Sequence, residues 1–457
     1  MRMMSWLKRM IESPRLLLWL GMLVFLYSWF ASMLLQLWVI PALFSQPGAA
    51  EGLVVLDSIG FDRQAKTHAA SISSLGWSAW ELRHQGQSPV GIASFFYVLL
   101  GPTPASMLPF NAAVQAISTC VVMMILRYFF AAMPALLGAL VFALNPASFE
   151  WVAQIHRDGI FILGNLLLIL GVLRFIREPE ADVVRMKVWY WLCWVMVPVA
   201  GTFLIWVARP YWVQVALLTL VLAAVTVMLA SLLRSMTARH SMVWFAGMVL
   251  LVGLFQLWLI RFHTPYEPID LPSSVIQANN QANNQANKPF SWSRSKWLPE
   301  SIEGRFYRIA TARLGAISQG GNSLVDADWR LDSTGAIVKY FPRALQLGLL
   351  SPFPELWGGQ ASTPAMTMAR KVVGGVTLVF YVCLLGLAFG LWRMQKNLSL
   401  WVMIGACLTG ILVYAVTYPN IGTLIRYRYG FYMLLIGFGA AWWCDLWLKR
   451  TDWSRKE

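Results

Sequence analysis

The chain has 457 residues, 58% of them hydrophobic and 12% charged, with repeated apolar runs of about twenty residues, the length that crosses a bilayer core. These values exclude a soluble globular or disordered class and predict an all-α polytopic membrane protein with about ten spans. The formal net charge of +15 fits basic residues that orient membrane helices and meet anionic lipid. With no basic stripe and no nucleic-acid motif, nucleic acid is not an expected partner.

At the start, Arg2, Lys8, Arg9 and Arg15 place the N-terminus in the cytoplasm by the positive-inside rule. The apolar run over about 16–40 continues past any small-residue cleavage site, so a retained first helix is expected. Directly after it comes Val55-Leu56-Asp57-Ser58-Ile59-Gly60-Phe61-Asp62, which puts two carboxylates where a membrane helix meets water. Asp57 and Asp62 have a structural reading as helix-start residues and a functional one as site carboxylates. Residues 65–80 read as a surface helix within a first outer loop, 43–107. The run from Val90 to Leu100 lies between Pro89 and Gly101-Pro102. At about eleven apolar residues it is too short to span, so an embedded or interfacial helix is expected.

If that run does not cross, spans follow at about 108–127, 131–148, 159–176, 188–208, 211–233, 242–262, 371–392, 399–418 and 429–448, ten with the first. Every short cytoplasmic loop is then basic, among them Arg127, Arg174 to Lys187, Arg234 with Arg239, and Arg393 with Lys396, and the C-terminus is cytoplasmic as well. Residues 1–262 form an N-terminal membrane module and 371–457 the C-terminal helices. Between them, 263–370 is a hydrophilic outer insert of mixed structure, opened by a flexible linker at 277–288 whose Gln-Ala-Asn-Asn repeat buries nothing. Within it, the proline-bracketed stretch from Tyr340 to Pro354 is too short to span and is expected to lie on or dip into the outer leaflet.

On this topology His156, Arg157 and Asp158 sit at the outer surface. Asp158 has an N-cap reading and a functional one in which it faces Asp57, with Arg157, across a pocket. The last outer loop, 418–430, holds Arg426, Tyr427 and Arg428. Arginines there are snorkelling anchors or planar forks for phosphate oxygens. The chain has no HExxH, GxSxG or phosphate-cradling GK[ST] motif, its five histidines are scattered, and all five cysteines fall in expected helices. No thiolate metal site is expected. A divalent metal between carboxylates is compatible with the pattern but not required by it.

The spacing Asp57-x-x-x-Phe61-x-x-x-Ala65 resembles the Asp-x-x-x-Tyr-x-x-x-Ala pattern in the first periplasmic loop of bacterial GT-C type glycosyltransferases, the superfamily of protein O-mannosyltransferases and aminoarabinose transferases. The embedded segment ending Tyr97-Val98-Leu99-Leu100-Gly101 and the stretch from Pro146 to Asp158 are similar to elements of the same enzymes. The 321–354 stretch and the Asn420-to-Arg428 loop resemble polytopic proteins of bacterial envelope polysaccharide clusters. The resemblance implies a bacterial inner-membrane enzyme that moves a sugar from a polyprenyl-phosphate carrier to a glycan, lipid or protein acceptor. Asp57 would be the catalytic base, Asp62 and Asp158 its helpers, and His156, Arg157, Arg426, Tyr427 and Arg428 would bind substrate or phosphate. The chain departs from the pattern with Phe61 in place of Tyr and Ser58 after Asp57, where the mannosyltransferases carry an Asp-Glu pair. Three other readings stay open: a non-catalytic subunit working with polysccharide-assembly proteins, a lipid-linked glycan polymerase, and a transporter.

Overall fold

The computed structural model describes residues 15–45, 47–176, 187–233, 239–262, 290–318, 320, 323–358 and 364–453. The N-terminal basic residues before Arg15, most of the 177–187 loop, Arg234, and the linker at 277–288 lie outside the described residues. Within them the protein is an all-α, multi-pass membrane protein. Nine helices are long and apolar enough to cross a bilayer, or ten when the bent pair Ala132–Leu144 and Pro146–Val152 counts as one span.

The first span, α1 (Leu16–Leu34), continues through a π-helical turn at Leu35–Val39 into Ile40–Leu43. Helix α2 (Leu56–Leu75) begins right at the Asp57 stretch, nine residues before the expected surface helix, because the extended Val55 breaks the chain from the preceding turn. Helix α3 (Ser88–Leu100) has thirteen residues, short of a span as its length predicted. Then follow α4 (Leu108–Leu126), α5 (Ala132–Leu144), α6 (Asp158–Ile176), α7 (Lys187–Ala208), α8 (Val213–Leu233) and α9 (Arg239–Arg261). The insert contributes α10 (Glu300–Ser318) and α11 (Thr334–Leu350), and its described part holds no strand, only isolated bridges. The chain ends in α12 (Pro364–Arg393), α13 (Leu398–Thr417) and α14 (Ile421–Trp453).

Two expected boundaries shift for identifiable reasons. Helix α5 stops at Leu144 rather than near 148 because Pro146 disfavours helical geometry at Asn145, whose ψ is 121°. Helix α14 starts at Ile421, so Arg426, Tyr427 and Arg428 stand in the first turns of a helix rather than in a loop. Asn420 begins it by accepting the Thr423 amide at 3.3 Å.

The contacts divide the chain into two units. One comprises Met1–Ile260, Val382–Ala406 and Met433–Glu457, and the other Arg261–Tyr381 and Cys407–Tyr432. The dividing points fall at the end of α9 and inside each of the last three helices. In the first unit, α6 and α7 cross where Gly164 and Gly201 meet; a Cβ on either would lie 2.8 or 2.6 Å from the other's carbonyl oxygen. Small residues permit such close approach in membrane helices. The antiparallel register set there carries the end of α7 to the beginning of α6, and so Arg209 to Asp158.

Candidate active site

Residues 153–157 connect the bent second half of the α5 span to α6 without regular helix. Buried carbonyls in such a connector need partners, and polar side chains from two spans and from α2 supply them. Asn111 on α4 donates to the carbonyls of Val152 at 3.2 Å and Gln154 at 2.9 Å. Gln36, in the π-helical turn of the first span, donates to Ala153 at 3.0 Å, and Ser58 to Ile155 at 3.1 Å. Gln154 in turn donates to the Gly52 carbonyl at 2.8 Å and accepts from the Val54 amide at 3.0 Å. Gly52 has a φ of 76° and a Cβ there would sit 2.2 Å from the Gln36 carbonyl oxygen, so this turn requires glycine. The connector and the start of α2 are thus sewn together.

That stitching delivers a chain of ionisable groups. Asp158, the first residue of α6, is paired through Oδ1 with Arg209 and lies 3.1 Å through Oδ2 from Nδ1 of His156. The Arg209 guanidinium also stacks 4.7 Å above the Phe161 ring, and Trp212 behind it donates to Asn165 at 3.2 Å. The far nitrogen of His156, Nε2, is 3.9 Å from Oδ2 of Asp57. Asp158 and Arg209 are 1% and 0% exposed in their side chains and His156 2%, whereas Asp57 is 56% exposed. A fully buried ion pair therefore orients a buried imidazole, and the imidazole points at a carboxylate that solvent can reach. The Asp158 main-chain amide donates to Nδ1 at 3.4 Å, and a neutral imidazole that accepts there carries its proton on Nε2, the nitrogen turned toward Asp57.

Of the carboxylates expected in the site, Asp57 and Asp158 come to one corner, linked by His156. They do not face each other across a pocket: Asp158 is enclosed by Arg209 and His156. Asp62 points elsewhere. Five residues along a helix is about 140° of rotation, so Asp62 leaves the Asp57 side and turns toward α3, while Phe61 keeps that side and meets the His156 ring edge-on at 6.4 Å. Asp62 accepts the Tyr97 hydroxyl at 2.5 Å and pairs with Lys66 at 2.8 Å, and Lys66 reaches Glu51 at 2.6 Å. The Lys66 hydrogen bond holds the Glu51 carboxyl below the usual glutamate range, and burial pushes the Tyr97 hydroxyl far up. Arg157, half-buried, donates to Gln87 at 3.4 Å.

Arg426, Tyr427 and Arg428 belong to the second unit. Arg428 is 2% exposed and donates to the carbonyls of Leu347 and Ser351 and, at 3.1 Å, to the Ser351 hydroxyl. Arg426 stacks 5.1 Å from the Tyr427 ring. Among the described residues no group of three or more His, Cys, Asp and Glu side chains is placed to hold a metal ion.

Sequence reasoning missed Arg209, Gln36, Asn111 and Gln154. Arg209 carried a usable signal: it stands with Pro210 between two expected spans, on the side that the expected topology makes outer, where the positive-inside rule disfavours arginine. The amides carried none, because polar residues inside apolar runs do not reveal which carbonyl they serve. Compared with protein-family models, with curated proteins and with solved structures, the chain matches none.

Proposed function

We propose that the protein is a membrane glycosyltransferase of GT-C type in a bacterial inner membrane. It would move a sugar or glycan from a polyprenyl-phosphate carrier to a lipid, polysaccharide or protein acceptor at the periplasmic face, with both termini in the cytoplasm. The observation that carries this reading is the exposed Asp57 carboxylate set against a buried imidazole that Asp158 and Arg209 orient.

In this mechanism Asp57 takes the proton of the acceptor hydroxyl as that oxygen bonds to the anomeric carbon of the donor. The bond from that carbon to the carrier phosphate breaks, and the electron pair leaves with the phosphate. A positioned carboxylate contributes about 10²–10⁴-fold to such a step. His156 acts beside it, with Nε2 3.9 Å from the Asp57 carboxylate. Asp158 and Arg209 are positioning residues, since they fix the imidazole without reaching solvent. Asp62 serves by anchoring α2 through Tyr97 and Lys66.

The test is mass spectrometry of lipid-linked glycans from cells carrying the wild type, Asp57→Asn or a deletion, with membrane levels of each protein measured. The expected outcome is an Asp57→Asn protein as abundant as wild type whose glycan profile matches the deletion, with donor lipid accumulating and one product missing. A wild-type profile from Asp57→Asn alongside an altered profile from the deletion overturns the mechanism and favours a non-catalytic subunit.

A further inference from the structure

The turn that leads into α3 carries groups that the Asp57 corner does not use. Arg83 donates through Nη2 to the Gly86 carbonyl at 3.3 Å, and its guanidinium lies 5.1 Å over the Trp206 ring. The next residue along, Gln87, accepts from Arg157 at 3.4 Å. Two half-buried guanidiniums thus converge on one five-residue turn, and among the described residues neither makes an ion pair with a carboxylate. Burial first, and then the charge of Arg157, hold the Arg83 guanidinium below the usual arginine value. Like charges gathered without a counter-ion call for one.

The neutral groups around them make the same demand. Arg83 Nε, the Ser88 hydroxyl and the Trp206 indole N–H are all buried without a hydrogen-bond partner, and Ser88 is 2% exposed. Each buried donor left unmade carries the desolvation cost of its lost hydrogen bond, and native structures retain few of them without a reason. Ser88 is also the first residue of α3, a thirteen-residue helix whose N-terminal amides favour negative charge.

We infer that Arg83, Arg157, Ser88 and Trp206 form a binding site for the phosphate of a phosphate ester. Phosphate fits the inventory better than a carboxylate: it offers three or more acceptor oxygens and up to two charges to two guanidinium forks. Arg157 directly follows His156, so the site adjoins the Asp57 corner along the chain. Taking the bound phosphate as that of the lipid carrier rests on the transferase reading; the site itself does not.

The experiment is titration calorimetry on the full chain purified in detergent, with three probes: farnesyl phosphate, inorganic phosphate and farnesol. The expected result is binding of the phosphate-bearing probes and not of farnesol. Arg83→Gln and Arg157→Gln should each weaken that binding about 10–100-fold, the scale of a charge-assisted hydrogen bond. Ser88→Ala should weaken it less, and Arg63→Gln, an exposed arginine on α2, should bind as wild type. Arg83→Lys keeps the charge and loses the fork, so it should fall between wild type and Arg83→Gln; it also covers the case in which Arg83→Gln elutes as aggregate. Tighter binding of farnesyl phosphate than of inorganic phosphate assigns a lipid source, and equal binding assigns free phosphate. The site is overturned if the arginine variants bind as wild type, if Arg63→Gln loses as much as they do, or if farnesol binds as well. Asp57→Asn should bind phosphate normally. An unchanged glycan profile in that variant removes the transferase reading and leaves this site, whereas arginine variants that bind normally remove the site and leave Asp57 untouched.

Discussion

Each unit of the molecule buries arginine almost completely, Arg209 in the first and Arg313 and Arg428 in the second, and Arg209 and Arg428 are used in opposite ways. Arg209 in the first unit faces the carboxylate of Asp158, which leads through His156 to an exposed acid. Arg428 in the second unit faces carbonyl oxygens at the end of α11, with the Tyr432 ring 4.3 Å beneath it. A cation at a helix C-terminus satisfies carbonyls that the helix cannot pair internally. Arg428 is therefore a clamp on a helix end. The sequence offered both as arginines at a span boundary; their partners separate a group set behind an exposed acid from a group that holds a helix end.

The largest effect should come from breaking the clamp. Arg428→Met leaves the carbonyls of Gly348 and Ser351 buried and unmade, while the Leu347 carbonyl keeps the Ser351 amide. At about 1–3 kcal/mol for each, the loss is on the order of 2–6 kcal/mol, visible as a lowered unfolding midpoint and lowered membrane levels. Glycan output per folded molecule should stay unchanged. An Arg428→Met protein as stable as wild type would dissolve the contrast between the two arginines.

Asp158→Asn comes next. Removing one partner of a buried pair strands the other charge, at a cost of about 3–5 kcal/mol. The double variant Asp158→Leu with Arg209→Met removes both charges, and buried pairs replaced by apolar residues of similar size are often neutral in stability. Near wild-type melting of the double variant is expected, with the glycan product still missing, since His156 has lost the carboxylate that sets its ring. Recovery of product together with stability would reduce Asp158 and Arg209 to structural residues.

How much of this was legible follows from the same contrast. The spans were, because crossing a bilayer demands about twenty apolar residues in a row, and the thirteen-residue α3 was legible as their exception. Asp57 was visible as an acid directly after a span. The partner of Asp158 was not: Arg209 is 51 residues away, brought in by a Gly164–Gly201 crossing that leaves only two ordinary glycines in the sequence. Arg428 was visible as an unusual cation, but the carbonyls it holds lie about 80 residues away, and main-chain acceptors leave no trace in a sequence.

A smaller effect belongs to the second unit. Asp326 accepts from Arg343 at 2.8 and 3.1 Å and from the Tyr340 hydroxyl at 3.0 Å, tying α11 to the segment before it. Burial alone would raise the Asp326 carboxyl, but Arg343 and Tyr340 outweigh it and hold the group below its ordinary 3.8, while burial pushes the Tyr340 hydroxyl up to about 12. Asp326→Asn should lower stability by about 1–2 kcal/mol at neutral pH. A carboxyl depressed on folding stabilises above its unfolded value and loses that contribution as pH falls through its folded one. The difference between wild type and Asp326→Asn should therefore persist at pH 5 and vanish only below about 3.8, as unfolding series at several pH values will read.

The smallest effect should appear in the first unit, at a different pH. The His68 and His84 rings stack 3.8 Å apart, Glu81 lies 3.6 Å from His84, and the Glu81 amide donates to His68 Nε2 at 3.4 Å. Protonating Nε2 removes that acceptor and adds charge beside a second imidazole. Burial, and then His84, hold the His68 value below its ordinary 6.5, against a weaker opposing pull from Glu81. The folded turn thus favours neutral His68. Its stabilisation is complete above pH 6.5 and is lost as pH falls through the lower folded value. The protection of amides over 81–87, relative to their intrinsic exchange at each pH, should fall a few-fold on acidification through this window, at a pH where the Asp326 contacts remain intact. His68→Gln keeps a side-chain acceptor and cannot titrate, so its protection should be flat with pH. If wild type is equally flat, the stacked pair is packing alone, and the acid sensitivity separating the two units is absent.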